Sequence, residues 1–453
     1  MGHVTSQSLL QRLTARAESG HPLRVGLIGA GKFGTMFLSQ ARRIPGVHVL
    51  GIADLSLDRA RQAVRRAGWP PEQTAATDFA QALHTGSTCL TDDSQSLIQA
   101  DGLEVLVEAT GEPTAGVQHA LSAFDYGRHV VMVNVEADAL AGPLLARRAS
   151  AAGVIYSLAY GDQPALICEL VDWARVCGFE VVCAGKGTKY LPVYHTSTPD
   201  TVWEYYGLTQ ETVAHEGLNA RMFNSFLDGT KSAIEMAAVA NATGLRPQPD
   251  GLGFPPCGID ELPSVCRPRS DGGQLAHPGT VEVISSLERD GSPVPHDLRW
   301  GVYVIFEAPG DYVQRCFKEY GLLTDDSGRY AALYRPSHLI GLELMISILN
   351  VGVRGEATGS PAGFLGDVVA TAKRRLPTGE RLDGEGGYCV YGRLMPAEHA
   401  LKSGAFPVGL ARQVRLKHEV AAGQVVRWAD VEYDEAAPIV RFRREMEQQM
   451  MNV

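Results

Sequence analysis

Residues 23–54 read LRVGLIGAGKFGTMFLSQARRIPGVHVLGIAD, and the order of residue types in this stretch decides the fold. Leu23–Ile28 is a short apolar run with branched side chains, as expected of a parallel strand buried on both faces. It runs into Gly29-Ala30-Gly31-Lys32-Phe33-Gly34 and then into a helix-compatible stretch, 35–43. Pro45-Gly46 marks a turn, and Val47–Ala53 reads as a second strand that ends on Asp54. Gly29 permits a tight turn, Gly31 lets backbone N–H groups approach a pyrophosphate, and Gly34 lets the helix pack close to the strand. The helix N-terminus then turns unpaired N–H groups and its positive dipole end toward phosphate. Asp54, 20 residues after Gly34, stands where a carboxylate accepts hydrogen bonds from the adenosine ribose. Together these parts predict a Rossmann domain for NAD(P), with Gly29, Gly31, Lys32, Phe33, Gly34 and Asp54 at the cofactor.

The same rhythm continues. Residues 103–109 (LEVLVEA) lead into Thr110-Gly111-Glu112-Pro113, a loop at a strand's C-terminal end, where open α/β sheets bind ligands. Residues 129–135 read as another buried strand ending on Asn134-Val135-Glu136, and 154–158 as the last one of the domain. Thr110, Gly111 and Asn134 join the expected cofactor set. A carboxylate at Asp54 repels a 2′-phosphate and favours NAD. Arg59, on a helix expected over 57–68, would either neutralise that phosphate and admit NADP or lie solvated.

At 453 residues the chain is too long for one core. The expected class is α/β: a Rossmann domain with a doubly wound parallel sheet over 1–160, an α+β substrate and dimerisation domain over 161–355, and a small β-rich domain over 356–453. A net charge of −10 with no basic block argues against a nucleic-acid partner. No apolar run nears the ~18 residues of a membrane span. The stretch MGHVTSQSLLQRLTARAESG lacks the apolar core of a signal peptide and suggests a short amphipathic helix through Leu9, Leu10 and Leu13. The eight cysteines form no C-x-x-C pair or zinc-ligand cluster and are expected to be reduced, with Cys168, Cys183 and Cys389 as packing residues. The expected location is cytoplasmic.

In the second half, 177–184 reads as a strand running into Gly185-Lys186-Gly187-Thr188-Lys189-Tyr190. Two lysines in a glycine-flanked loop read equally as an anion clamp for a substrate phosphate or carboxylate and as an exposed turn. Residues 221–244 suit a helix closed by Gly244. If it is continuous, Asn224, Asp228, Lys231 and Glu235 share one face. That stripe is a solvent face, a cap at Asp228, or the wall of an active site. The last reading is favoured, because a lysine paired with a carboxylate suits carbonyl/alcohol acid–base chemistry. Lys231 is then the acid/base, with Asp228 beside it and Glu136 as a further catalytic candidate. Residues 245–275 are Pro/Gly-rich and read as a long ordered loop; 281–285 and 301–307 read as strands. Tyr334-Arg335-Pro336-Ser337-His338-Leu339 is expected to open a helix running to Leu349, with Arg335 and His338 toward the substrate or, equally, Ser337 as a cap and His338 packed.

Residues 370–383 and 411–430 each read as a basic strand, a glycine turn, a short apolar strand and an acid, which resembles the SAF (antifreeze-like) pattern. With this tail the chain resembles the homoserine-dehydrogenase-like NAD(P) oxidoreductases that carry a C-terminal SAF-type domain, including the 1-deoxy-D-xylulose 5-phosphate reductoisomerase-like proteins. The motifs are GLIGAGKFG, VEATGEP, VMVNVEAD, GKGTKY, NSFLDGTKSAIE, YRPSHLIGLE and LDGEGG, spanning most of 20–430. The resemblance implies NAD(P)-linked oxidation or reduction, a homodimer, and NADP(H) in preference to NAD(H). Homoserine dehydrogenases place an Asn-Lys pair where this chain has Asn134, Val135 and Glu136, and space the catalytic Asp and Lys by four where Asp228 and Lys231 are three apart. Homoserine is therefore not the expected substrate.

The expected substrate is a small phosphorylated or carboxylated polyhydroxy ketone or aldehyde, as for the reductoisomerase-like enzymes, bound by Lys186, Lys189, Asn224, Glu235, Arg335 and His338. A homoserine-type or sugar-acid dehydrogenase is the alternative chemistry, and a non-catalytic NAD(P)-binding sensor the alternative of another class. Carboxylates suit Mg²⁺ or Mn²⁺ in general, but no spacing is diagnostic, so a divalent metal stays open.

Overall fold

The computed structural model describes residues 8–451; the first seven residues of the N-terminal stretch lie outside it. The chain packs as two compact units. One holds the chain up to Leu166 with Leu339–Ser360; the other holds Ile167–His338 with Pro361 onward.

In the first unit, Leu23–Ile28 (β1), Val47–Ala53 (β2), Cys89–Thr91 (β3), Val105–Glu108 (β4), His129–Met132 (β5) and Tyr156–Leu158 (β6) form one parallel sheet. Its order is β3-β2-β1-β4-β5-β6. The chain reverses direction of travel across the sheet between β1 and β4, so the loops leaving their C-terminal ends diverge and leave a crevice. Val25, Leu27, Val105, Val107 and Val131 are buried together with Phe37 and Leu38 of helix Lys32–Ala41. Each such side chain contributes about 1.5–3 kcal/mol by leaving water. Helix Leu9–Glu18 is amphipathic as expected, with Leu13 buried, Leu10 exposed, and a capping box between Ser8 and Gln11. One expectation is corrected here: β5 stops at Met132, and Val135 and Glu136 open helix Val135–Ala151, which Asn134 caps.

In the second unit, Glu180–Thr188 (β7), Arg246–Pro247 (β8), Thr280–Ser285 (β9), Val302–Glu307 (β10), Leu323–Thr324 (β11) and Tyr330–Arg335 (β12) make a mixed sheet, ordered β11-β12-β10-β7-β9-β8. Gly366–Ala372 (β13) pairs antiparallel with Val390–Pro396 (β15), while Arg381–Asp383 (β14), Arg412–Leu416 (β16) and Val431–Glu432 (β17) form a third, antiparallel sheet. Helix Thr230–Thr243 lies against β9, β13 and β15. Thr230 Oγ1 accepts the N–H of Gly392 at 2.8 Å, and Asn241 Oδ1 accepts those of Leu365 and Gly366 at 2.7 and 2.9 Å. The tail thus packs into the second unit.

Three expectations are overturned in this unit. Lys186 lies inside β7 rather than in a loop. A Cβ on Gly185 would stand 1.7 Å from the Glu282 carbonyl oxygen, and one on Gly187 2.0 Å from that of Leu298, so these glycines mark close backbone approach within a sheet. Residues 221–244 form two helices, Ala220–Leu227 and Thr230–Thr243. Gly229 takes a left-handed φ of 88°, and the Asp228 carboxylate accepts the Thr230 N–H at 2.9 Å, which starts the second helix afresh. Arg335 ends β12 opposite Val302, and Pro336, with no N–H for the ladder, closes the strand. His338 therefore sits in a loop and not on a helix; the helix comes later, at Met345–Leu349 in the first unit.

Candidate functional site

The first unit presents a glycine loop at the C-terminal end of β1. Gly29 has a φ of 99°, and a Cβ there would lie 2.5 Å from the Ala109 carbonyl oxygen that follows β4. A Cβ on Gly34 would lie 2.4 Å from the Gly29 carbonyl oxygen, so the helix presses on the loop. Gly31, by contrast, caps helix Lys32–Ala41, and a Cβ on it would meet nothing within 4 Å. The first N–H groups of that helix receive no side-chain cap, the arrangement that holds a pyrophosphate. Lys32 is exposed and Phe33 half-buried at its start.

Asp54 ties this loop to the end of β2. Its Oδ2 accepts the Ala30 N–H at 2.9 Å and its Oδ1 the Ser56 N–H at 2.9 Å. Each oxygen keeps a lone pair for a ribose hydroxyl. The Arg59 guanidinium, largely exposed, lies 3.7 Å from Oδ1.

The loop after β4 is held by a polar chain that sequence reasoning missed in part. Glu108, fully buried at the last position of β4, accepts the Thr110 hydroxyl at 2.7 Å and lies 3.1 Å from His119 Nδ1; His119 Nε2 lies 3.0 Å from Ser94 Oγ. Asn134 donates to Thr110 Oγ1 at 3.2 Å and to the Glu112 carbonyl at 2.8 Å. Thr110 and Asn134 are thereby brought together beside Gly111. The signal was an acid ending an otherwise apolar strand, in VEATGEP. Glu136 stands half-buried in the first turn of helix Val135–Ala151. Two residues on, in the same first turn, Asp138 is fully buried and accepts the Tyr156 hydroxyl at 2.8 Å; burial pushes its carboxyl up to about 7.

The second unit holds the other polar cluster. Lys186 on β7 and Glu235 on helix Thr230–Thr243 form a buried ion pair, and Lys231 lies one turn before Glu235 on the same helix. Asp228 is paired with Lys373 at 2.7 Å, both buried. Lys373 also donates to the carbonyls of Ser197 and Gly387, at 2.7 and 2.8 Å. Nothing in the sequence links Lys373 to Asp228.

Asn224 bonds Ser197 and the Gly386 carbonyl and so ties the helix before Gly229 to the tail. Lys189 donates to the Tyr205 carbonyl and lies 5.4 Å from the centre of the Tyr206 ring; burial, then the Arg299 charge, lower its pKa. His338 Nδ1 lies 2.7 Å from the Trp300 carbonyl oxygen. Lys186 and Lys189 thus have separate partners, Glu235 for the first and the Tyr205 carbonyl for the second. Beside Gly229, His195 donates from Nδ1 to the Asp228 carbonyl at 2.7 Å and contacts the Tyr190 hydroxyl at 2.9 Å; burial lowers its pKa and raises that of Tyr190 to about 12. Among the described residues, no group of three or more His, Cys, Asp or Glu is arranged to hold a metal ion.

Residues 161–344 match the sequence model of a family described as oxidoreductase DRL, catalytic domain. Lys186, Lys189, Asn224, Asp228, Lys231, Glu235, Arg335 and His338 all fall within the matched segment. No curated protein matches the chain. Among solved structures, the chain is similar to a probable dehydrogenase from Thermotoga maritima, at 14% identity over 75% of this chain and 90% of that one, with a TM-score of 0.37. A putative myo-inositol dehydrogenase from Sinorhizobium meliloti 1021 gives 12%, 75%, 92% and 0.36. The apo scyllo-inositol dehydrogenase from Lactobacillus casei gives 14%, 37%, 46% and 0.26, so the chain spans just under half of that protein's length. No helix among the described residues is long and apolar enough to cross a membrane.

Proposed function

We propose that this chain is an NAD(P)-linked oxidoreductase that interconverts an alcohol and a carbonyl on a small polar substrate. The observation that carries the reading is the glycine loop: Gly29 and Gly34 are fixed by contacts a Cβ would violate, while Gly31 leaves open backbone at a helix N-terminus. Residues Gly29 to Gly34 would hold the pyrophosphate and Asp54 the adenosine ribose, with Thr110, Gly111 and Asn134 completing the cradle. Bound there, the nucleotide supplies or accepts a hydride. NADP(H) is preferred on the family resemblance, with Arg59 beside Asp54 as the cation for a 2′-phosphate. The match of residues 161–344 to an oxidoreductase catalytic domain supports the same reading.

Lys231 is the proposed general acid in reduction, giving a proton to the alkoxide oxygen of the substrate and taking it back in oxidation. The buried Lys186–Glu235 pair, one turn along, sets the local field. Asp228, with its charge engaged by Lys373, positions the start of the helix that carries Lys231. Lys189, Arg335 and His338 are proposed to bind a substrate phosphate or carboxylate, and Glu136 a substrate hydroxyl. The proposed substrate is a phosphorylated or carboxylated polyhydroxy ketone or aldehyde, turned over with an isomerising step by a homodimeric enzyme whose substrate domain is 161–355. A panel of oxo-acids, ketoses and their phosphates, followed by NAD(P)H absorbance with and without EDTA and Mg²⁺, tests this. Turnover of a phosphorylated ketose that Lys189→Ala weakens through KM supports it. Best turnover of unphosphorylated sugar acids, indifferent to Lys189, replaces it with a sugar-acid dehydrogenase.

A further inference from the structure

A cavity of the first unit lies at the opposite edge of the sheet from the glycine loop. The loop leaves the C-terminal end of β1, whereas the cavity opens at the N-terminal ends of β1 and β2, where Arg24, Val47 and His48 sit. It measures about 440 Å³. Arg24, Arg42, His48, Trp69, Leu83 and His84 are among the residues that line it, and none of the lining residues is an aspartate or glutamate. That is a departure for a chain with 51 acidic against 41 basic residues.

Neither guanidinium pairs with a carboxylate among the described residues; Glu104, whose carboxylate accepts the Arg24 backbone N–H at 3.1 Å, is paired with Arg16 instead. Arg24 Nε is buried with no hydrogen-bond acceptor, and its side chain packs over Gly102. The Arg42 guanidinium lies over Gly68. A buried donor of this kind costs free energy unless something accepts from it. His48, buried beside them, donates through Nε2 to the Ser87 carbonyl at 2.8 Å, and burial, then the Arg24 charge, lower its pKa. Trp69 is fixed by a hydrogen bond from Nε1 to the Leu38 carbonyl at 2.9 Å and gives the cavity a rigid aromatic wall.

We propose that this cavity binds a small organic phosphate monoester, its dianion met by Arg24 and Arg42 and its apolar body resting against Trp69 and Leu83. Two uncompensated guanidiniums match a dianion better than a monoanion, and planar guanidinium forks suit phosphoryl oxygens. The volume lies in the range of small-molecule sites, well beyond what inorganic phosphate alone would fill.

Phenyl phosphate is the probe, titrated by calorimetry and by ³¹P line broadening against the full chain. Wild type should bind it with a sub-millimolar Kd and bind inorganic phosphate more weakly. Arg24→Gln and Arg42→Gln should each weaken phenyl phosphate by about tenfold or more, since each removes one charged fork. Arg42 is exposed, so its variant keeps the fold and stands as the decisive one if Arg24→Gln unfolds. Gly31→Val and Lys189→Ala, which alter the candidate cofactor and substrate sites, should leave this binding unchanged. Absence of binding up to about 10 mM, equal binding in Arg42→Gln, or loss of binding in Gly31→Val or Lys189→Ala would each overturn the proposal.

Discussion

The carboxylate of Asp228 lies 2.7 Å from the ammonium of Lys373, a buried ion pair that joins the residue before Gly229 to the strand-rich tail. The same ammonium donates to two backbone carbonyls, so its charge is satisfied on three sides. Removing one partner leaves the other charge buried alone, which typically costs about 3–5 kcal/mol. Lys373→Met should therefore lower the midpoint of chemical denaturation strongly. The double variant Asp228→Asn, Lys373→Met should recover most of the loss, because no bare charge remains. A double variant no more stable than Lys373→Met would mean that the pair is incidental.

Lys231 sits in the first turn of helix Thr230–Thr243, on the face that carries Glu235. If it transfers the proton, Lys231→Met should lower kcat by about 10²–10⁴. NAD(P)H affinity should stay as in the wild type. Turnover within about threefold of normal would take this residue out of the chemistry.

Asp138 offers a pH test confined to the first unit. Burial raises its folded pKa from the ordinary 3.8 to about 7, so the folded state binds a proton that the unfolded chain has released. Its contribution is complete below about pH 4 and is lost as pH rises toward 7, beyond which no further change arises from it. Asp138→Asn keeps an acceptor for the Tyr156 hydroxyl without the charge. The thermal midpoint of the variant, measured relative to wild type, should climb between pH 4 and 7 and then level off. A difference independent of pH would show that the carboxyl titrates normally.

Two glycines in one loop should respond in opposite ways. Gly29→Ala forces a side chain into a left-handed backbone and toward the Ala109 carbonyl, and should cost about 1–3 kcal/mol. Gly31→Ala has an ordinary φ of −74° and open space, so stability should change by less than about 0.5 kcal/mol. Equal losses in both would mean that the loop does not have this geometry.

Local features were legible in the sequence and distant ones were not. The strand Leu23–Ile28, the glycine loop and Asp54 lie within one continuous stretch whose pattern specifies its own neighbours, and they fold as read. The glycines at 185 and 187 misled, because a glycine marks either a turn or a close approach. Only the positions of Glu282 and Leu298, far along the chain, decide between them. The apolar pattern of 221–244 allows either one continuous helix or a fresh start capped at Asp228, and Gly229 with the Asp228 carboxylate divides it as in the second reading. The pairs Lys186–Glu235 and Asp228–Lys373 join separate elements, so no spacing within either segment announces them. Glu108 was visible as an acid closing an apolar strand, but its partners His119 and Ser94 were not.

Nucleotide binding by the glycine loop is tested most directly by titrating NADPH and NADH into wild type and Gly31→Val. Calorimetry reports the affinity, and thermal melts confirm that the variant stays folded. Wild type should bind a nicotinamide nucleotide at micromolar concentration, with NADPH ahead of NADH. The folded variant should bind neither detectably, because the valine side chain would occupy the path of the pyrophosphate. A folded Gly31→Val protein that binds either nucleotide as tightly as wild type would contradict the assignment of the loop.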